Sequence, residues 1–312
     1  MDRRPIGRSE LVIEPLVLGG NVFGWTVNEE QGFAILDAFV EEGFTAIDTA
    51  QGYPNWVPGN PPGLSESIIG KWMKARGNRE AVHIFTKVNS ANEAGGLSAT
   101  QVAKGFTDSL ARLQTDYVDV YFSHWPDPKT SHEETLTAYD PMVRAGKVRV
   151  LGASNYTADM VKAAQETSVV KSLPRYEVLQ PRYNLYDRAE FDALRDTVIA
   201  QEMGTVVYYS LASGFLTGKY RSEADFGKSQ RGGGMAKYLD AKGKAILGAL
   251  DEVAAAHDAT PAEVSLAWLV AQPGVTAPIA SATSVEQVKS LARGVRLKLT
   301  DDEIQALTKA GE

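Results

Sequence analysis

Asp48, Tyr53, Lys87 and His124 supply an acid, a phenol, an ammonium and an imidazole, a set that could hand a proton to an oxygen atom. Three of them close short apolar runs, Gly43-Phe-Thr-Ala-Ile-Asp48, Val82-His-Ile-Phe-Thr-Lys87 and Tyr117-Val-Asp-Val-Tyr-Phe-Ser-His124, and Tyr53 follows the first run by five residues. Such runs read as buried strands. The stretches between them are long enough for one helix each. The four groups would then gather at the rim of a parallel barrel that carries the strand C-termini, where such barrels place their chemistry. Taken singly, each has an ordinary reading. Asp48 could cap a turn, Tyr53 could be a loop aromatic, Lys87 a surface charge and His124 a structural histidine. A lysine ending an apolar strand is already unusual, and the geometry common to all four favours chemistry.

The elements that must position them alternate along the chain. The segment Ile6 to Ile13 reads as a hairpin with a Gly-containing turn. Strand patterns follow at 16–18, 43–48, 82–86, 117–122, 148–151, 176–179, 205–209 and 275–279. Helical spacing covers 29–40, a segment opening at Ser65, 132–144, 157–167, 187–202, 240–256 and 261–271. Ser98-Ala-Thr-Gln101 has capping-box spacing and opens a helix to about Leu113, and Pro261 after Thr260 fits a first turn behind its N-cap. Strands alternating with helices imply a parallel sheet. Eight such units predict an α/β (β/α)8 barrel, a single domain over 1–312, with an N-terminal β-hairpin. An open doubly wound sheet is the alternative, but Gly19-Gly20-Asn21-Val-Phe-Gly24 lacks its Gly-rich fingerprint. Pro54 to Leu64 and Phe226 to Met235, with Arg231-Gly-Gly-Gly234, read as long loops on the strand C-terminal face. Loops of that length often bind or cover a site.

Composition narrows the function. The 312 residues are 44% hydrophobic and 23% charged, which suits a chain that buries a large core. There is no cysteine, so disulfides and thiolate metal sites are excluded, and a reducing cytoplasm is the expected location. The net charge of −7 and the lack of any basic cluster argue against nucleic-acid or anionic-membrane partners. The start, Met1-Asp-Arg-Arg-Pro, has no apolar core behind it and is not expected to be a secretory signal. His83, His132 and His257 match no metal-binding spacing, and no metal is expected.

Asp48-Thr-Ala-Gln-Gly-Tyr53, Phe85-Thr-Lys87 and Phe122-Ser-His124 resemble the aldo-keto reductase superfamily, in a bacterial-type form. Gly152-Ala-Ser-Asn155, Leu179-Gln-Pro-Arg-Tyr-Asn-Leu185 and Tyr209-Ser-Leu-Ala-Ser-Gly-Phe-Leu-Thr-Gly-Lys-Tyr220 extend the resemblance, in order, through the fifth, sixth and seventh strand ends. The resemblance implies metal-free reduction of an aldehyde or ketone by NAD(P)H, or the reverse oxidation. Tyr53 would be the general acid. A phenol has a pKa of about 10 and an adjacent cation lowers it. Lys87 would supply that cation, Asp48 would hold Lys87, and His124 would orient the carbonyl oxygen. The resemblance further implies that Ser154, Asn155 and Gln180 hold the nicotinamide carboxamide and that Tyr209 stacks on the ring. Ser210, Leu211, Ser213 and Gly214, with Lys219, would run beside the pyrophosphate, and Gly20 and Asn21 would add contacts.

At the adenosine end the chain departs from the pattern. Pro278-Ile-Ala-Ser-Ala-Thr-Ser-Val-Glu-Gln287 resembles the last loop and helix start, but Ser281, Thr283 and Gln287 stand where NADPH-using members carry cations, and a later Asn position reads Leu291. NADP(H) is the expected cofactor, with NAD(H) or dual use as the alternative. Trp25, Trp56, Asn89 and Trp125 are the expected substrate-pocket residues, and the substrate is a small carbonyl or alcohol. Two rival readings share the fold. One is a reductase-like regulatory or binding subunit with little turnover, for which a partner-binding arm before the hairpin is not expected here. The other is a metal-dependent barrel hydrolase, for which only Asp48 and His124 would qualify as ligands.

Overall fold

Residues 2–89 and 95–312 are described by a computed structural model. After a two-stranded antiparallel hairpin, β1 (Arg4–Pro5) and β2 (Val12–Ile13), eight strands close into a parallel barrel. In order around it these are β3 (Val17–Gly19), β4 (Ala46–Asp48), β5 (His83–Val88), β6 (Val118–Ser123), β7 (Val148–Ser154), β8 (Tyr176–Gln180), β9 (Gly204–Val207) and β10 (Ala277–Ala280), with β10 paired to both β3 and β9. The helices between them are α1 (Glu29–Glu41), α2 (Leu64–Arg76), α3 (Ala99–Leu113), α4 (His132–Arg144), α5 (Ala158–Lys171) and α6 (Ala189–Ala200). Two helices, α7 (Ala241–Ala256) and α8 (Pro261–Ala271), separate β9 from β10, and α9 (Val285–Arg296) and α10 (Asp301–Ala310) follow.

Strand alternation divides the core in two. Val17, Ala46, Phe85, Val120, Phe122, Val150, Val178, Val206, Ala277 and Ile279 fill the barrel interior. Their neighbours, such as Leu18, Ile47, Ile84, Tyr121, Leu151, Leu179 and Val207, join the cluster packed against the helices. Ile6, Leu11 and Ile13 of the hairpin belong to the interior cluster, so the hairpin seals the strand N-terminal end. Also on that side, the buried Asp119 carboxylate receives Arg79, Arg149 and the Ile84 N–H at 2.7–2.9 Å. Gly152 is required where it stands: a Cβ there would lie 2.4 Å from the Phe122 ring.

Most expected boundaries agree with the observed ones within two or three residues. β4 begins at Ala46 rather than at residue 43, since Gly43 turns out of α1 with φ +84°. β9 ends at Val207 because Tyr209 takes φ +56° and leaves the ladder. Ser98 is the N-cap of α3, but its side chain makes no capping bond, so the expected box is not formed there. The Thr260–Glu263 box behind Pro261 is complete. The loop around 226–235 folds into short 3-10 turns at Glu223–Lys228 and Gly232–Gly234. Residues 54–63 carry only turns, and α10 was not anticipated.

Candidate active site

At the C-terminal rim six of the eight strands continue their inward series by one more step of two. Ala46 leads to Asp48, Phe85 to Lys87, Phe122 to His124, Val178 to Gln180, Val206 to Tyr208 and Ile279 to Ser281. An apolar interior thus gives way to a polar top layer with no change of face. Except for Lys87, which lies buried beneath, these residues line a cleft of about 740 Å³. A second groove of about 860 Å³ runs between α4 and α5 and contains none of them.

The Lys87 ammonium is fully buried and donates to Asp48 Oδ2 at 2.7 Å, to the Thr49 carbonyl at 2.7 Å and to the Tyr53 hydroxyl at 3.3 Å. Gln180 Nε2 donates to the other Asp48 oxygen at 2.9 Å. Burial pushes the Asp48 carboxyl up and the Lys87 ammonium down, and their contact opposes both shifts. Burial, and after it the charge of Asp48, holds the Tyr53 hydroxyl well above its ordinary 10.0. The expected lowering by Lys87 is therefore outweighed. The ammonium is matched by a carboxylate 2.7 Å away, whose own charge acts on the phenol in the opposite sense. Burial first, then Lys87, pushes the His124 imidazole well below 6.5, so it is neutral at neutral pH. Its ring meets the Tyr53 ring edge-on, centres 5.7 Å apart. A phenol kept protonated and a neutral imidazole with one N–H are two donors facing one cleft.

Around them, Ser154 donates to the Gln180 carbonyl at 2.7 Å, and Asn155 donates to the His124 carbonyl at 2.9 Å while accepting from the Tyr208 hydroxyl at 2.8 Å. Tyr209 presents a ring that is 44% exposed, with the Arg182 guanidinium 5.1 Å from its centre. Ala212, Ser213 and Gly214 take successive φ values of +47°, +56° and +100°, a tight turn in which the Ala212 and Gly214 N–H groups donate to the Tyr209 and Leu211 carbonyls while Ser213 and Gly214 line the cleft. Lys219 is exposed at the cleft edge, its Nζ 3.6 Å from where a Cβ on Gly214 would lie. Farther along, Ser281 donates to Asn21 at 2.7 Å, the Thr283 N–H donates to Gln287 at 2.9 Å, and Leu291 closes the wall. Ser210 and Leu211 also line the cleft, as do Trp56 and Trp125, which are 45% and 37% exposed.

Besides Lys87, three expected residues stand outside the cleft wall. Gly20 is buried, packed on the Asp48 carbonyl with its own carbonyl taken by Ser65; its neighbours Gly19 and Asn21 face the cleft instead. Asn89, at φ +69°, turns back and donates to the Trp125 carbonyl. Trp25 meets the edge of Trp56 and lies under the Arg231 guanidinium, 5.0 Å from its ring centre. Arg182, Tyr208 and Arg231 were not expected and do line the cleft. Arg231 matters most, because its Nη2 is buried without a partner among the described residues. The Arg-Gly-Gly-Gly run was its only sequence signal. Among the described residues no three His, Asp or Glu side chains gather as metal ligands. No described helix is long and apolar enough to cross a membrane.

The sequence model of the Aldo/keto reductase family matches residues 15–312. The chain is similar to Protein tas of Escherichia coli, 31% identical over 98% of this chain and 97% of that protein. It is 33% identical to an uncharacterized oxidoreductase, YrpG, of Bacillus subtilis, over 98% and 95%. It is also 30% identical to a putative voltage-gated potassium channel subunit beta of Schizosaccharomyces pombe, over 96% and 90%.

Proposed function

Because this chain belongs to the aldo/keto reductase family, we propose that it is an NAD(P)(H)-dependent reductase of aldehyde or ketone carbonyls, working without a metal. One observation carries this reading: Tyr53, held protonated and in contact with Lys87, faces the same cleft as the neutral His124. The residues present fit a dinucleotide. The exposed Tyr209 ring offers a stacking face, Lys219 and the Ser213 hydroxyl at the cleft edge suit a pyrophosphate, and the unpartnered Arg231 nitrogen suits a phosphate oxygen. Ser281, Thr283 and Gln287 would meet the adenosine end with hydroxyl and amide groups only. NADP(H) is favoured by the family resemblance, and NAD(H) is the alternative; Arg231, over the Trp25 ring, would meet a part of the dinucleotide common to both.

When bound, the reduced nicotinamide supplies a hydride to the carbonyl carbon. The chain's own residues do the rest. The His124 N–H and the Tyr53 hydroxyl donate to the carbonyl oxygen and orient it. As charge develops there, that oxygen becomes far more basic than a phenol, so a raised Tyr53 pKa does not prevent transfer. Tyr53 gives up its proton, and the phenolate left behind gains from Lys87 at 3.3 Å. Asp48 keeps Lys87 protonated and in place. Positioned donors of this kind typically contribute about 100- to 10,000-fold. Trp56 and Trp125 form an apolar substrate mouth beside Tyr53 and His124. The cysteine-free sequence suits a reducing cytoplasm.

Similarity to the channel-subunit relative keeps a second reading, a binding subunit with little turnover. One assay separates them: initial-rate oxidation of NADPH and of NADH with an activated aromatic aldehyde. Multiple turnovers establish the reductase. A single slow oxidation of bound cofactor, and nothing after it, establishes the binding subunit.

A further inference from the structure

Gln180 is 3% exposed and reaches two ways from the end of β8. Its Nε2 donates to Asp48 Oδ1 at 2.9 Å, and the other Asp48 oxygen accepts from Lys87, which in turn reaches Tyr53. A carboxylate can only accept, so this contact fixes which way round the Gln180 amide stands, spends one of its two N–H donors on Asp48 and leaves Oε1 as its acceptor. We propose that Gln180 is a positioning residue for the proton donor, acting through Asp48, and that it makes the seating of the nicotinamide carboxamide and the placement of Lys87 and Tyr53 a single event. This rests on the reductase reading above.

The argument is one of hydrogen-bond inventory. Oε1 is an acceptor, so it selects the NH2 side of a carboxamide. If the amide turned over, it would present a donor to the cofactor and an oxygen to Asp48, and both contacts would be lost together. Ser154, whose hydroxyl holds the Gln180 carbonyl at 2.7 Å, fixes the backbone from which the side chain reaches. An acid at position 180 would face Asp48, Lys87, Tyr53, His124 and Tyr208. Protonated, it can still donate to Asp48. Ionised, it cannot, and it adds a like charge.

Two measurements test this. In a double-mutant cycle on NADPH affinity, read by tryptophan fluorescence, Asp48→Asn leaves one acceptor oxygen, which Lys87 claims, and turns an NH2 toward Gln180. It is expected to weaken binding about 5- to 50-fold more when Gln180 is present than in the Gln180→Met background. Equal losses in both backgrounds would overturn the coupling. In turnover, Gln180→Glu is expected to approach the parent rate at low pH and to lose it as pH rises, while Gln180→Met stays slow at every pH. A Gln180→Glu profile identical to the parent's would also overturn it. If the parent protein reduces no carbonyl, the reductase reading falls, and the affinity cycle still decides the coupling. Failure of the parent to bind either cofactor would overturn both.

Discussion

The Lys87 ammonium touches the Tyr53 hydroxyl at 3.3 Å and at the same time lies 4.7 Å from the centre of the Tyr53 ring. The phenol is thus held at its edge and face by one buried cation. Tyr53→Phe keeps the ring and its cation contact and removes only the transferable proton. We expect kcat for an aromatic aldehyde to fall about 100- to 10,000-fold, with NADPH affinity within about twofold of the parent. Full kcat in this variant would remove Tyr53 from the role of acid.

The pH profile follows from the directions of the shifts. Reduction needs Tyr53 protonated, which holds below its raised pKa, and His124 neutral, which holds above its lowered one. The value of kcat/KM for the carbonyl is therefore expected to stay level from about pH 6 to about pH 9. An alkaline decline inside that window would mean that Lys87, and not burial, governs the phenol once cofactor is bound.

Thr283 lies at the turn into α9, its N–H and hydroxyl both directed to Gln287. Thr283→Arg places a guanidinium at that end of the cleft. We expect the ratio of kcat/KM for NADPH over NADH to rise roughly tenfold, the worth of one added charged hydrogen bond. An unchanged ratio would show that the 2′-phosphate does not reach this turn.

Gly152→Ala tests the interior below the site. The added methyl would sit 2.4 Å from the Phe122 ring, one inward step under His124. Overpacking of this kind should cost about 1–3 kcal/mol in urea denaturation. The smaller ring-free side chain of Phe122→Leu, added to Gly152→Ala, should recover part of it. No change in midpoint would mean that Phe122 moves freely.

Much of the barrel was legible because apolar runs and helical spacing are local signals. That Asp48, Lys87 and His124 come together at the rim was legible because each ends such a run. Tyr208 is pointed inward by the same alternation, Val206 then Tyr208, but lies outside the positions that the resemblance marks, which fall on Tyr209. Arg231 lies on a segment of short turns whose path no periodicity encodes. Gly20 stands between two residues that do line the cleft, Gly19 and Asn21, and Asn89, at φ +69°, turns toward the Trp125 carbonyl. The helix at 301–310 does carry a local signal, since Thr300 and Glu303 form its capping box.

The step of two that lifts each strand from interior to rim also sets how this protein can vary. A substitution at 48, 87, 124 or 180 edits one tooth of the ring. Deleting a single residue within β5 below Lys87 puts the strand out of phase, delivering Thr86 or Val88 to the rim and turning the ammonium toward α2 and α3. Length changes are therefore confined to the connections, and the long segments after β4 and β9 are where lineages of this chain can lengthen, shorten and diversify while the strands keep time.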